Sequence, residues 1–241
     1  MELSGKTILV TGADGGIGST LIAKLLEEGA VLILITHRKI ATTLPDKCKN
    51  YACDLSNKEE LSKLIGRIKT DFPKIDVLVN IAGIGIYKSI EEATVEEWET
   101  SFAINVTAPF VLMKNLLPLL SNPGTIVLNI GSGAGVIPMK NRSLYCSTKF
   151  ALRGLSLSLA EEFKEREPSF CLITLGSTLT PFGTGEALTL EQKKERNKAG
   201  SAYFTPEWVS NKLIEILKAE KRENEIVLYP ADYGFGTWRK P

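Results

Sequence analysis

The chain has 241 residues, of which 44% are hydrophobic and 24% charged, a composition typical of one large α/β domain with a sizeable core. Its 29 basic and 28 acidic residues give a net charge of +1 without a long basic run, which argues against a nucleic-acid or membrane-surface partner and favours a small molecule. Four cysteines without CxxC spacing and a single histidine argue against a metal site and indicate reduced thiols in a cytoplasmic protein.

Predicted strands and helices alternate along the chain. Short apolar runs predict strands at residues 6–11, 31–35, 50–53, 75–80, 125–130, 170–175 and 225–229. Apolar residues at helical spacing predict helices at residues 17–28, 58–72 (capped by Ser56), 95–120, 143–166 and 206–219. This order predicts one α/β domain over residues 1–241, a Rossmann-like doubly wound parallel sheet of about seven strands with helices on both faces.

The most apolar long window lies between residues 108 and 120, inside the predicted helix 95–120. Pro109, Lys114, Asn115 and Pro118 interrupt it, and it is shorter than the ~20 apolar residues that a membrane-spanning helix needs. The first residues also lack the pattern of a signal peptide. No membrane segment is therefore expected.

A glycine-rich loop, TGADGGIG at residues 11–18, joins the first predicted strand to the first helix. Gly12, Gly16 and Gly18 have the spacing of a tight turn below a helix N-terminus, whose free N–H groups suit a pyrophosphate. Ligands of parallel sheets bind beyond the carboxyl ends of the strands, where Asp54 and Asn80 fall. The loop therefore predicts a dinucleotide site.

Residues 132–149 place a hydroxyl, a phenol and an ammonium close together in the sequence. Tyr145 and Lys149 are four positions apart at the start of a predicted helix and should share one face with Ser132 nearby. A fixed cation beside a phenol favours the phenolate and makes tyrosine an acid/base near neutral pH. Alone, the pair is more typical of a solvated helix surface, so the catalytic interpretation depends on the glycine loop.

Taken together, these motifs resemble the short-chain dehydrogenase/reductase family. The resemblance covers nearly the whole chain and rests on TGADGGIG, Asp54-Leu55, NIAG at 80–83, Asn105, Ser132 and YCSTK at 145–149. It implies an NAD(P)-dependent oxidoreductase that transfers a hydride between nicotinamide and an alcohol or ketone. A dehydratase or epimerase of the same fold and a catalytically silent nucleotide-binding module are the alternatives.

The resemblance also implies residue roles. Tyr145 would be the general acid/base, and Lys149 would lower its pKa and hold the nicotinamide ribose. Ser132 would hydrogen-bond the substrate oxygen, and Asn105 would position a water in the proton relay. The implied cofactor contacts are Gly12, Asp14, Gly15, Gly16, Ile17, Gly18, His37, Arg38, Asp54, Leu55, Asn80, Ala82, Gly83, Tyr145, Lys149, Gly176, Thr178 and Thr180.

Two positions depart from the family pattern near the expected cofactor. Ile81 stands where the family usually has a second asparagine, and Leu175 stands where it usually has a proline before the glycine. The loop after the sixth strand therefore lacks a rigid residue, and Thr180 is the best match to the threonine that contacts the carboxamide.

The end of the second predicted strand bears on the choice between NADP and NAD. It reads Thr36-His37-Arg38-Lys39, without the carboxylate that binds the ribose 2′-OH of NAD in many relatives. Arg38 offers charge-assisted hydrogen bonds to a 2′-phosphate. Two residues of the glycine loop argue against NADP. Gly15 stands where many NADP-using relatives carry a basic residue, and Asp14 would repel a phosphate if it pointed inward. NADP is the expected cofactor and NAD the alternative.

The substrate side is less distinctive. Residues 181–204 fall where the family places its substrate lid. Apolar residues from that side and from the opposite wall predict a mostly apolar pocket for an alcohol or ketone, and they are Leu179, Phe182, Leu188, Tyr203, Ile84, Ile86, Val136 and Ile137. The substrate itself stays open.

The resemblance implies a homodimer or homotetramer. Small and apolar residues on the predicted helix 143–166 form a stripe that would pack on a symmetry mate, and they are Ala151, Leu155, Leu159 and Ala160. The alternative is that this stripe faces the sheet of its own chain.

Overall fold

The computed structural model describes residues 1–38 and 44–237. Its strands in chain order are β1 Thr7–Thr11, β2 Val31–Thr36, β3 Cys48–Ala52, β4 Val77–Asn80, β5 Ile86–Tyr87, β6 Ile126–Ile130, β7 Ser169–Leu175, β8 Thr184–Gly185 and β9 Glu225–Leu228. Seven of them form one sheet in the order β3-β2-β1-β4-β6-β7-β9, and every pairing is parallel. This confirms the predicted doubly wound sheet.

Helices cover both faces of the sheet. They are α1 Gly16–Glu27, α2 Lys58–Asp71, α3 Val95–Phe102, α4 Ala108–Leu120, α5 Ser143–Glu162, α6 Leu190–Lys198 and α7 Pro206–Lys218. Buried residues of α1 and α7 pack on one face, and buried residues of α2, α4 and α5 pack on the other.

The strands alternate between two hydrophobic cores. In β1, Ile8 and Val10 belong to the core under α1 and α7, whereas Leu9 belongs to the core under α2, α4 and α5. Successive side chains of a strand point to opposite faces, so a strand covered on both sides is apolar at every position. Each fully buried aliphatic side chain contributes about 1.5–3 kcal/mol to the free energy of unfolding. Because burial at these strand positions is complete, their apolar runs are uninterrupted and predict the strands well.

The predicted helix 95–120 is one 26-residue helix with a local irregularity. A π-helical turn, Ala103–Thr107, separates α3 from α4, and the amide of Ala108 donates to the carbonyl of Ala103. By length and composition alone this helix could cross a membrane, contrary to the expectation from its prolines. A core helix passes the same test, and Leu112, Leu116 and Leu120 are fully buried against the sheet.

Two predicted helix boundaries need correction. The N-cap of α2 is Asn57 rather than Ser56, because the Asn57 side chain accepts hydrogen bonds from the amides of Glu59 and Glu60. Ser56 instead donates its amide and its hydroxyl to the carboxylate of Asp54. Helix α5 ends at Glu162, four residues before the predicted end at residue 166.

The predicted lid, residues 181–204, contains structure that the sequence analysis missed. Strand β8 pairs in parallel with β5 as a separate two-stranded sheet, which joins the lid to the segment that follows β4. Helix α6 begins at a capping box formed by Thr189 and Gln192. A backbone β-bridge joins Thr178, which lies just before the lid, to Phe204, the last residue of the lid. Phe204 is fully buried, so this bridge holds the two ends of the lid together.

Candidate active site

A cavity of about 510 Å³ lies at the carboxyl ends of the central strands. The glycine loop and the ends of β2 and β3 form one half, which we call the cofactor half. Tyr145, the lid and the segment after β4 form the other, which we call the substrate half. All the expected site residues line the cavity except Arg38, Asn80 and Asn105, and those that do are Gly12, Asp14, Gly15, Gly16, Ile17, Gly18, His37, Asp54, Leu55, Ala82, Gly83, Ser132, Tyr145, Lys149, Gly176, Thr178 and Thr180.

The cofactor half is shaped by the absence of side chains. Gly12 has a φ of +66°, and a Cβ there would lie 2.7 Å from the Cα of Ala82. A Cβ on Gly16 would lie 2.7 Å from the Cγ2 of Thr180, and one on Gly18 would collide with the carbonyl oxygen of Gly12. Glycine thus lets the loop, the chain after β4 and the start of the lid meet at the N-terminus of α1.

Helix α5 brings Tyr145 and Lys149 to the same side, as their spacing predicts. The Lys149 Nζ lies 5.8 Å from the centroid of the Tyr145 ring and donates a hydrogen bond of 2.9 Å to the carbonyl oxygen of Ile130. Ser132 follows β6, and its hydroxyl accepts a hydrogen bond from the amide of Ala134 at 3.1 Å. Phenol, ammonium and hydroxyl therefore meet at the end of β6.

The pKa of Tyr145 differs from the sequence-based expectation. Burial is the main cause that raises it above its ordinary value, and the nearby Tyr87 adds to this increase. A hydrogen-bonding interaction with Ser132 and the charge of Arg142 oppose the increase. Burial also lowers the pKa of Lys149 to about 8. Burial of both groups therefore opposes the stabilisation of the phenolate that Lys149 is expected to provide.

Two aromatic rings enclose Tyr145. The centroids of Tyr87 and Phe182 each lie 5.6 Å from that of Tyr145, in tilted orientations. Tyr87 comes from β5 and Phe182 from the lid, so the small two-stranded sheet holds both rings against the phenol. Of these two rings, only that of Phe182 was expected from the sequence to line the substrate pocket.

Asn105 is buried beneath the cavity and does not line it. Its side-chain oxygen accepts from the amide of Ile84 at 2.8 Å, while its nitrogen donates to the Ile84 carbonyl at 2.8 Å and to the Thr148 hydroxyl at 3.0 Å. Both amide protons are therefore engaged within the protein. These bonds join the chain after β4 to α5, and the π-helical turn Ala103–Thr107 places Asn105 between them.

Asn80 and Arg38 also lie outside the cavity lining. The side-chain nitrogen of the buried Asn80 donates to the side-chain oxygen of Asn129 at 2.8 Å within the sheet. Arg38 is exposed, and its carbonyl oxygen accepts a 2.7 Å hydrogen bond from the Thr36 hydroxyl. Lys39, the next residue, lies outside the described ranges.

The substrate half contains two cations that the sequence analysis did not single out, Arg142 and Lys193. Of the apolar residues expected there, four line the cavity, Ile84, Phe182, Leu188 and Tyr203, and four do not, Leu179, Ile86, Val136 and Ile137. The expectation of a mostly apolar substrate pocket is therefore only partly correct. The capping signal at Thr189–Gln192 could have revealed helix α6, which carries Lys193.

Comparison with known proteins identifies the family. A family model described as short chain dehydrogenase matches residues 6–189. A 3-oxoacyl-[acyl-carrier-protein] reductase from Haemophilus influenzae is 34% identical over 197 residues, which span 79% of this chain and 81% of the relative. The chain belongs to the short-chain dehydrogenase family.

Other relatives agree with this assignment. Nodulation protein G of a Rhizobium species is 34% identical over 174 residues, covering 68% of this chain and 70% of the relative. The crystal structure of a short-chain dehydrogenase from Streptomyces avermitilis superimposes with a TM-score of 0.81 at 25% identity, over 98% of this chain and 92% of that one. Membership places the chain among oxidoreductases that use nicotinamide cofactors.

Proposed function

We propose that this short-chain dehydrogenase interconverts an alcohol and a carbonyl compound, with Tyr145 as the general acid/base and NADP as its preferred cofactor. One observation carries the proposal. The phenol of Tyr145, the ammonium of Lys149 and the hydroxyl of Ser132 line the same cavity as the glycine loop. Family membership supports the reaction class, and the cavity supports the choice of residues.

The residues of the cofactor half fit a dinucleotide. Side chains at Gly12, Gly16 and Gly18 would fill the space where the loop, Ala82 and Thr180 approach one another, and α1 begins in this loop without a side-chain cap on its first amides. When bound, the nicotinamide cofactor supplies or accepts the hydride. Lys149 uses one of its three protons on Ile130, which leaves two to donate to ribose hydroxyls.

The protonation states suit carbonyl reduction. Because burial raises its pKa, Tyr145 holds its proton at neutral pH and is ready to donate it to an oxygen that gains negative charge. The Ser132 hydroxyl accepts from the amide of Ala134 and interacts with the Tyr145 phenol, so it lies beside the reacting oxygen and is placed to hydrogen-bond the same substrate oxygen. Asn105 acts as a positioning residue that fixes Ile84 and Thr148 around this centre.

Replacing Tyr145 with phenylalanine tests the proposal directly. Tyr145→Phe removes only the hydroxyl, so we expect kcat to fall on the order of 10³-fold while the Kd for the dinucleotide changes only a few-fold. The change in nicotinamide absorbance with a panel of ketones, aldehydes and alcohols measures turnover, and calorimetry measures binding. Tyr233→Phe, at a half-exposed ring outside the cavity lining, is the matched control.

Each result of this experiment separates the proposal from its alternatives. Retention of near wild-type turnover by Tyr145→Phe would refute its role. Dinucleotide binding without any net change in absorbance, for every substrate in the panel, would favour an epimerase, a dehydratase or a silent binding module instead.

The preference for NADP rests on the end of β2. Thr36 and His37 line the cavity there, and no carboxylate occurs between Val31 and Arg38. The acids of the cofactor half are Asp14 in the glycine loop and Asp54, whose carboxylate already accepts two hydrogen bonds from Ser56. The exposed guanidinium of Arg38 is therefore the proposed partner of a 2′-phosphate.

We expect Arg38→Ala to raise the Kd for NADPH at least tenfold, equivalent to about 1.4 kcal/mol, and to leave the Kd for NADH nearly unchanged. Calorimetric titration of both nucleotides measures this without reference to turnover. Tighter binding of NADH by the wild-type protein, together with indifference to Arg38→Ala, would reverse the cofactor assignment.

We also propose that the protein forms a homo-oligomer, through a surface that differs from the expected stripe. Ala160 is buried in the core, and Leu155 and Leu159 pack against the same core, so much of that stripe faces its own chain. The large apolar side chains exposed on α3, α4 and α5 are Val95, Trp98, Phe110 and Phe150. Light scattering at micromolar concentration should show a dimer or tetramer that Phe150→Asp dissociates, and a monomeric wild type would refute the proposal.

A cytoplasmic location is proposed from the cysteines. Cys48, Cys53, Cys146 and Cys171 are all free thiols, and all but Cys48 are buried. Burial raises the pKa of Cys53 to about 11 and that of Cys171 to about 12, which keeps them protonated and unreactive. Fractionation of cells that produce the protein at its natural level tests this, and recovery in a secreted or membrane fraction would contradict it.

A further inference from the structure

The substrate half of the cavity holds two positive charges close to the candidate catalytic tyrosine. Arg142 immediately precedes α5, and its guanidinium carbon lies 4.3 Å from the centroid of the Tyr87 ring. Lys193 is on α6, and its Nζ donates to the carbonyl oxygens of Thr180 at 2.8 Å and Phe182 at 2.9 Å. Both line the cavity, and both are half-buried.

Neither cation forms an ion pair within residues 1–38 and 44–237. The ten ion pairs of these ranges involve other side chains. Glu186 reaches this region, but there it accepts a 2.7 Å hydrogen bond from the side chain of Asn141. The two acids that line the cavity, Asp14 and Asp54, belong to the cofactor half.

The two cations also act on each other. Burial and the positive charge of Arg142 lower the pKa of Lys193. Two like charges in a partly desolvated cavity repel, and an anion between them relieves both the repulsion and part of the desolvation cost. The ring of Tyr87 under the guanidinium and the two carbonyls that accept from Lys193 fix these side chains, so little rotamer entropy is lost when an anion binds.

Apolar residues complete this part of the cavity. Ile84, Met139, Phe182 and Leu188 line it next to the two cations. A substrate that fits would therefore have an apolar carbon chain, a carbonyl or alcohol carbon at Tyr145 and an anionic group some atoms away. Arg142 contributes a planar fork that matches a carboxylate.

We infer that the substrate is an oxo acid or hydroxy acid whose carboxylate binds between Arg142 and Lys193. The inference rests on the proposed oxidoreductase function and adds the chemical class of its substrate. The charge of the substrate determines the selectivity, because a neutral analogue of the same shape leaves both cations in the cavity without an anionic partner.

Paired substrates test the inference in the enzyme saturated with NADPH. Oxo acids with increasing spacing between carbonyl and carboxylate are each compared with their methyl esters. We expect kcat/KM for the best acid to exceed that for its ester at least tenfold. Arg142→Met keeps an apolar side chain over Tyr87 and should lower this acid-to-ester ratio at least tenfold, and Lys193→Met should lower it several-fold.

The ratio, rather than the rate, is the decisive measurement. The charge of Arg142 also lowers the pKa of Tyr145, so its removal changes proton transfer for acid and ester alike and cancels in the ratio. Lys194→Met is the matched control, because Lys194 is the next residue of α6 and is exposed away from the cavity. It should leave the ratio unchanged.

Binding of an unreactive carboxylate separates this inference from the proposed function. Calorimetry with hexanoate and hexanamide should show at least tenfold tighter binding of hexanoate, and Arg142→Met should abolish the difference. This result would support the anion site even if no turnover were found. Turnover of neutral ketones without any preference for acids would overturn it. So would variants that weaken binding of NADPH instead, since the two cations would then serve the cofactor.

Discussion

The two halves of the cavity are built in different ways. The centre of the cofactor half is one continuous segment, the glycine loop at residues 11–18, which approaches its neighbours closely because three of its glycines have no side chains. The substrate half is assembled from the side chains of three separate segments, represented by Tyr87 on β5, Arg142 before α5, and Phe182 with Lys193 in the lid. A site made by local backbone geometry is encoded in neighbouring residues, whereas a site made by converging side chains depends on the whole fold.

The two halves also differ in how they affect the stability of the folded protein. Among the residues that the structure describes, the cofactor half shows close backbone approach without a buried ion pair or a buried cation. The substrate half buries the phenol of Tyr145 and the ammonium of Lys149 together, and burial shifts the pKa of both toward the neutral form. Desolvated functional groups of this kind lower the free energy of unfolding, and they are kept because the reaction needs them. Three substitutions test this contrast.

The largest effect is expected in the cofactor half. Gly18→Ala would place a methyl group against the carbonyl oxygen of Gly12, which is itself held against Ala82. We expect this overpacking to lower the free energy of unfolding by about 1–3 kcal/mol and to weaken dinucleotide binding roughly tenfold to hundredfold. Chemical denaturation and calorimetric titration measure the two effects. Wild-type affinity in this variant would mean that the loop does not form the dinucleotide site.

In the substrate half we expect a smaller change in the free energy of unfolding, and this change has the opposite sign. Burial lowers the pKa of Lys149 from 10.5 to about 8, so holding the protonated side chain costs roughly 3 kcal/mol at pH 7. Lys149→Met removes this cost and loses one hydrogen bond to Ile130, worth about 1 kcal/mol. We expect the variant to be about 1–2 kcal/mol more stable than wild type at pH 7, and inactive.

We expect the difference in stability between Lys149→Met and wild type to depend on pH. Between the folded pKa of about 8 and the unfolded value of 10.5, the unfolded chain binds more protons at Lys149, so stability from this group rises with pH. We expect the advantage of Lys149→Met to shrink by about 1 kcal/mol between pH 7 and pH 9. Cys53 and Cys171, with raised pKa values, oppose the trend at higher pH in both proteins and cancel in the difference. A constant difference would show that Lys149 is not desolvated.

The smallest change in stability is expected for a control substitution at a glycine outside the loop. Gly66 lies in the middle of α2 on an exposed face, and a Cβ there would meet nothing within 4 Å. Gly66→Ala should therefore raise the free energy of unfolding by about 0.5–1 kcal/mol and leave dinucleotide binding unchanged. Destabilisation here, comparable with that of Gly18→Ala, would mean that glycine replacement in a helix, rather than crowding of the loop, explains both results.

Much of the fold could be predicted because local patterns are strong where burial is complete. Strands covered on both faces are apolar along uninterrupted stretches, as in residues 8–10 and 126–128, and the helices between them show one apolar side. The two-residue strands β5 and β8 have no pattern of their own, since only their pairing defines them. The π-helical turn at Ala103–Thr107 was likewise unreadable within a continuous helical pattern.

The sequence by itself determined the sheet, the glycine loop and the shared face of Tyr145 and Lys149, because each follows from residues that are neighbours in the chain or one helical turn apart. Only the tertiary structure decided the protonation of Tyr145, the engagement of Asn105 and Asn80 inside the protein, and the convergence of Arg142 and Lys193 on one cavity. Burial and electrostatic interactions depend on what distant segments bring together, and spacing along the chain carries no information about that.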